Sequence, residues 1–163
     1  MTRTRSEYRL SLPTPQPAPT PPTGHPVTFA HPSEARRDEL ADLLLDAYRG
    51  TIDDEGEDAD DACEAIDEYL GVILTPHSFV VVDGDHSVAF SFVVVVDGMH
   101  YIDPVVVRAD RKRRGLGRVA VRRSLDSLAG AGVVDVGATI TDGNVASERL
   151  FTALGFTRHG AWA

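Results

Sequence analysis

Half of the 16 Lys+Arg residues of this 163-residue chain fall between Arg108 and Arg123, although the whole chain carries a formal net charge of −9. They are Arg108, Arg111, Lys112, Arg113, Arg114, Arg118, Arg122 and Arg123. Inside the run lies Gly115-Leu116-Gly117. Before it stands the apolar stretch Val105-Val106-Val107, and after it a helical pattern begins. A strand, a basic glycine loop and a helix start, in that order, make an anion cradle. Main-chain N–H groups point into the gap, the helix dipole favours negative charge there, and the arginines deepen the field. Glycine at 115 and 117 lets the backbone approach a phosphate that any Cβ would hold off. Gly117→Val is therefore expected to remove ligand binding and leave the fold intact.

Two other readings of the same residues compete. Gly115 to Ala120 fits the dinucleotide fingerprint GxGxxA, and Asp135 stands about twenty residues on, where a ribose-binding acid is expected. Against it, Arg108 to Arg114 separate the strand from the first glycine, and Asp135 comes early in its own strand. Too little chain follows Ala120 to finish a doubly wound sheet. No Gly-Lys-Ser/Thr follows the glycines, so a Walker loop is absent. The remaining alternative is a solvated charged face with a turn in it.

The elements that would position this loop follow from periodicity. Residues 1–26 hold seven of the ten prolines and are expected to form a disordered, extended Pro-rich tail. The folded domain is expected over 27–163. A short strand at 27–30 leads to a helix over 34–48, capped by Ser33, with Leu40, Leu43, Leu44 and Ala47 on one face. A second helix spans 58–70. Strands at 78–83, 87–97 and 100–107 form a meander joined at Asp83-Gly84-Asp85 and Asp97-Gly98. After the loop come a helix at 116–129, a strand at 133–140, a helix at 144–154 and a strand at 156–162.

Bulk properties exclude several classes. No run of about eighteen apolar residues exists, so no membrane partner is expected. The acidic balance argues against nucleic acid. Cys63 is the single cysteine, so there is no internal disulfide, and no Cys/His spacing suggests a metal. A cytoplasmic location is the resulting expectation.

The segment Val107-Arg108-Ala109-Asp110-Arg111-Lys112-Arg113-Arg114-Gly115-Leu116-Gly117 resembles the acetyl-CoA loop of the GNAT superfamily of N-acetyltransferases. That loop follows a strand with Gln/Arg-x-x-Gly-x-Gly/Ala; Lys112 stands where the family usually has Arg or Gln. Asn144-Val145-Ala146-Ser147-Glu148-Arg149-Leu150-Phe151, then Leu154-Gly155-Phe156, is similar to the family's Asn-x-x-Ala-x-x-Leu-Tyr with its trailing Leu-Gly-Phe. The resemblance spans 27–163. It implies an α/β fold with a mixed, mostly antiparallel sheet, splayed between its fourth and fifth strands and flanked by helices on both faces. It further implies transfer of an acetyl group from acetyl-CoA to a primary amine, a small molecule or a peptide, by direct attack in a ternary complex.

The resemblance assigns the backbone of Val105, Val106 and Val107 to the pantetheine arm. Lys112, Arg113, Arg114, Gly115, Leu116, Gly117 and Arg118 fall around the pyrophosphate. Asn144 matches a position that holds the pantetheine arm, and equally suits a helix cap. The family often protonates the leaving thiolate with a Tyr at the place occupied here by Phe151, which has no proton to give. For the base, strand alternation puts Tyr101, Asp103, Val105 and Val107 on one face, so Tyr101 or Asp103 would line the substrate side; Asp103 also reads as a solvated strand-edge acid. His100 points to the opposite face, and Asp67 and Glu68 are weaker candidates. The acidic stretch Asp53 to Asp58 is either an acceptor-attracting wall or a solvated loop. A short C-terminus that lacks the family's last strand would leave the site to be completed by a homodimer. The rival function is a non-catalytic acyl-CoA-binding sensor, which Phe151 favours, followed by a phosphate-binding regulatory protein.

Overall fold

The computed structural model describes residues 3–12 and 27–163. Strand β1 is Arg5–Ser11 and β2 is Thr28–Ala30. Helix α1 is Arg37–Tyr48, entered through a 3-10 turn at Glu34–Arg36. Ser33 precedes that turn, but its side chain makes no capping bond. Helix α2, Ala59–Val72, starts with a capping box: Asp58 accepts from the Asp61 N–H, and Asp61 accepts from the Asp58 N–H. Strands β3, Phe79–Asp83, β4, His86–Val96, and β5, Met99–Val107, form the meander. Helix α3, Leu116–Gly130, strand β6, Asp135–Thr141, helix α4, Val145–Ala153, and strand β7, Thr157–Ala161, complete the chain.

The seven strands form one sheet in the order β2-β3-β4-β5-β6-β1-β7. Only β5 and β6 run parallel, and they pair solely over His100–Ile102 with Val136–Ala138. Beyond Ile102 the two strands part. This is the expected splay; the extra N-terminal strand makes it fall between the fifth and sixth.

Apolar stripes on the helices decide where the core sits. The predicted face of α1 is buried at Leu40, Leu43, Leu44 and Ala47, and packs with Ala62 and Ile66 of α2 on Phe90, Phe92 and Val106. On the opposite face, Val121, Leu125 and Leu128 of α3 join Phe151 and Leu154 against Val93, Ile102, Val136, Ala138 and Ile140.

The largest departure from expectation is at the N-terminus. Residues 5–11, read as part of an extended tail, form a strand inserted between β6 and β7. Ser6 and Tyr8 are buried there, and Tyr8 belongs to the core cluster beneath α3 and α4. The folded unit therefore starts before residue 27. The prolines from Pro13 to Pro26 lie outside the described residues. Because β1 supplies a strand from within the chain, the sheet reaches seven strands without a second copy.

Candidate functional site

Strand β5 carries the local irregularity that shapes the site. Val93 pairs with Ile102 and Ser91 with Val105, so Asp103 and Pro104 both oppose Phe92. That extra residue is a β-bulge, and it inverts the side-chain alternation beyond it. Val105 consequently joins Ile102 in the cluster beneath α3, while Val106 turns into the core beneath α1 and α2. The expected common face of Tyr101, Asp103, Val105 and Val107 is thus corrected. Tyr101 and Asp103 lie on the α1/α2 side, and Val105 and Val107 lie against α3. Past the bulge, β5 has no ladder partner on the β6 side among the described residues. Its main chain from Asp103 to Val107 is an open edge.

The glycine loop is anchored by struts. Asp46 of α1 accepts from the Ala109 N–H at 2.7 Å. Arg111 donates to Asp83 of β3 at 2.6 Å, and Lys112 Nζ donates to the Ala47 carbonyl at 2.9 Å. Arg108 Nη2 lies 3.7 Å from Asp42. Between these struts and α3 the chain turns through two left-handed residues, Arg113 at φ 66 and Gly115 at φ 75. The first helical bond into the loop runs from Val119 N–H to the Gly115 carbonyl. Among the described residues, none of the N–H groups of residues 113–118 has an acceptor, which leaves them for an external anion. Arg113, Arg114 and Arg118 are exposed beside them and make no ion pair with a described residue.

Gly117 has a different reason from the one its motif suggests. A Cβ there would come within 3.3 Å of Leu150 Cδ2 and 3.4 Å of Val107 Cγ2, so the glycine lets α3 seat closely on β5 and α4. The expectation that Gly117→Val spares the fold is corrected accordingly. The substitution overpacks this contact and is expected to lower stability by about 1–3 kcal/mol. A lower thermal midpoint in the absence of any ligand would check it.

At the mouth of the splay, Asn144 is a helix cap that also holds the acidic loop. Its Oδ1 accepts from the Ser147 N–H at 3.1 Å, capping α4, and its Nδ2 donates to Asp53 at 2.8 Å. The other Asp53 oxygen accepts from Thr141 Oγ1 at 2.7 Å. The remaining acidic stretch largely folds itself: Asp54 accepts from the N–H groups of Gly50 and Gly56, Glu57 from that of Glu55, and Glu55 pairs with Arg3.

Asp103 sits at the bulge with its side chain 27% exposed, and Arg5 Nη2 of β1 stands 3.6 Å away. Burial pushes the carboxyl above the usual aspartate range, Asp53 adds to this, and Arg5 opposes it. Tyr48 of α1 and Tyr69 of α2 feel the Asp103 charge. Burial, then neighbouring charge, keeps both phenols protonated, with Tyr69 pushed up to about 12.

The other sequence candidates are committed elsewhere. Tyr101 donates its hydroxyl to Glu7 at 2.7 Å, lies over Gly137 and meets Trp162 edge-on. Burial first, and that hydrogen bond second, push its phenol up to about 12, so it is a poor base. Phe151 is buried between α4 and the sheet, edge-on to Phe156 at 5.0 Å. Asp67 is held by Arg37, and Glu68 is exposed. Arg5, Glu7, Tyr48 and Tyr69 escaped the sequence reading. For β1 a signal existed, since Ser6, Tyr8 and Leu10 alternate with charged residues at 5, 7 and 9.

Comparison with known proteins bears on the fold and the family. The model of the acetyltransferase (GNAT) family matches residues 37–156. No curated protein matches the chain by sequence. A GCN5-related N-acetyltransferase from Sphaerobacter thermophilus superposes with TM-score 0.75 at 17% identity, over 98% of this chain and 49% of its own. The chain thus spans about half the length of that protein. The ribosomal-protein-S18-alanine N-acetyltransferase of Escherichia coli gives 0.66 at 20% identity, covering 80% of this chain and 77% of its own. The aminoglycoside N-acetyltransferase AAC(6')-Iy, in complex with CoA, gives 0.64 at 15% identity, covering 83% and 91%. Among the described residues no helix is long and apolar enough to cross a membrane.

Proposed function

We propose, for a chain that belongs to the acetyltransferase (GNAT) family and is accordingly an acyltransferase, that it moves an acetyl group from acetyl-CoA to a primary amine by direct attack in a ternary complex. The observation that carries this reading is the row of N–H groups at residues 113–118 that have no acceptor among the described residues, flanked by three guanidiniums without an ion pair there and opening beside the edge of β5. A diphosphate fits the first and an extended amide-bearing arm fits the second. The bound co-substrate supplies an activated thioester. The chain supplies an N–H at the open end of β5 to polarise the acyl oxygen, and a carboxylate, Asp103, to take a proton from the attacking amine. The amine must be neutral to attack, which makes proton removal a requirement on the acceptor side. Aqueous acetyl-CoA implies a cytoplasmic setting.

Neutralising Arg113, Arg114 and Arg118 together by Gln is expected to weaken acetyl-CoA binding roughly 5- to 150-fold and to flatten its salt dependence, because each cation removed takes away roughly 0.3–1 kcal/mol of anion attraction. Calorimetric titration of wild type and triple variant checks this. Wild type without affinity for acetyl-CoA would end the proposal. A second reading, an acyl-CoA sensor, is favoured by Phe151, a buried core residue with no ionisable proton to give the leaving thiolate. Thiol release with a panel of amines separates the two: binding without turnover supports the sensor.

A further inference from the structure

The N-terminal segment, β1 together with the two residues before it, places three side chains in a row. Arg3 pairs with Glu55 at 2.9 Å and also donates to the Asp54 carbonyl at 2.7 Å. Arg5 stands at Asp103, and Glu7 takes the Tyr101 hydroxyl. Residues 3, 5 and 7 share one face of an extended segment, so a single N-terminal segment addresses the acidic loop, the bulge carboxylate and the buried phenol in turn. Nothing in the glycine-loop motif requires this.

Arg5 is the member placed on the chemistry. Its Nη2 donates to the Thr139 carbonyl of β6 at 3.2 Å and lies 3.6 Å from Asp103 Oδ1 on β5. The guanidinium therefore spans the two strands at the point where they have separated. Its Nε is buried and has no partner among the described residues. An arginine with only a structural task would turn that donor towards water and avoid the cost of burying it unpaired.

We infer that Arg5 is a positioning residue of the acceptor side: reaching across the splay from β1, it holds the Asp103 carboxylate in place and in its charged form, and so keeps it able to accept the proton of the acceptor amine. The inference rests on the acetyl-transfer reading for its catalytic consequence, but the pairing itself does not. The groups facing Asp103 are Arg5 from β1, Asp53 from the loop after α1, Tyr48 from α1 and Tyr69 from α2. Arg5 is the one cation among these. Burial and Asp53 favour the neutral acid, and Arg5 opposes both. Removing it raises the pH at which Asp103 ionises.

The test uses Arg5→Gln and Arg5→Lys in the full chain. Carboxyl-carbon NMR of the ligand-free protein, assigned with Asp103→Asn, follows the Asp103 titration. The pH profile of kcat/KM follows its consequence, with the ratio of variant to wild type cancelling ionisation of the amine. Arg5→Gln is expected to move the Asp103 midpoint upward by about one pH unit or more. The kcat/KM ratio should then fall by about tenfold per unit on the acid side and recover at alkaline pH. Arg5→Lys should restore most of both. An Asp103 midpoint unmoved by Arg5→Gln overturns the inference, as does a moved midpoint with an unmoved profile. A uniform loss at every pH, with a lowered thermal midpoint, makes Arg5 merely structural and also overturns it. Failure of the acetyl-transfer reading would show separately, as absent acetyl-CoA affinity in wild type.

Discussion

Asp103→Asn is expected to lower kcat by about 10²–10⁴-fold while leaving acetyl-CoA affinity within about twofold, since a positioned general base contributes that range and the glycine loop is built from other elements. The substitution keeps shape and removes only the ability to take a proton. Stability should move the other way or not at all. Asp103 is a carboxylic acid raised above its ordinary range by burial, so the native state binds its proton more tightly than the unfolded chain does. For such a group the folded state is favoured below the unfolded value, and that advantage is lost as pH rises through the folded value. Wherever Asp103 is ionised its charge is therefore a cost to the fold, which Asn removes. Arg5 is 40% exposed, so water can take over from the lost partner. Steady-state kinetics beside thermal unfolding at pH 7 checks both halves. A kcat reduced less than tenfold would mean that water or another group accepts the proton, and Asp103 would leave the mechanism.

The sequence carried most of what positions the glycine loop. Leu40, Leu43, Leu44 and Ala47 announced α1 through their spacing, and each is buried as a helix demands. The loop was equally legible, because left-handed Gly115 and the arginine cluster are local facts about adjacent residues. What failed were relations between distant segments. The bulge at Asp103 exists because two residues of β5 oppose Phe92 of β4, and no periodicity within β5 alone reveals that count. Reading straight alternation through it put Val105 and Val107 on the wrong face. Lys112 was read as charge for a phosphate, whereas it caps the Ala47 carbonyl in the last turn of α1, where a helix end attracts a cation. Tyr101 was read as free, and the Glu7 that occupies it lies in a segment judged by its neighbours' composition. All prolines of residues 1–26 come at or after Pro13, yet their weight was spread over the whole stretch. Short alternation needs a partner strand before it means anything, and the partners of β1 are β6 and β7 near the other end of the chain.

Removing residues 1–12 is expected to abolish folding, giving aggregated protein or a chain with no cooperative unfolding transition. A dispensable tail would predict an unchanged melting curve, so this experiment opposes the two accounts of the N-terminus directly. Strand β1 is interior to the sheet: it pairs with β6 from Arg5↔Thr141 to Ser11↔Asp135, and with β7 from Ser6↔Ala161 to Arg9↔Thr157. Among the described residues it is the sole ladder partner of β7. Without it, β7 is detached and β6 is left as an exposed edge prone to pairing with other chains. Ser6 is buried and donates to Asp142 at 2.6 Å while accepting from Arg158 at 2.7 Å, so these two groups lose a shared partner. Tyr8 fills the core beneath α3 and α4, and the milder Tyr8→Ala should alone cost about 3–5 kcal/mol, the range for emptying a buried aromatic site. Domains of this size hold only about 5–15 kcal/mol in total, so loss of a whole interior strand exceeds what the fold can spare. A deletion variant that melts cooperatively at the wild-type temperature would show that residues 5–11 do not belong to the sheet. It would also remove Arg5 from the cleft, and with it the route by which an N-terminal strand reaches Asp103.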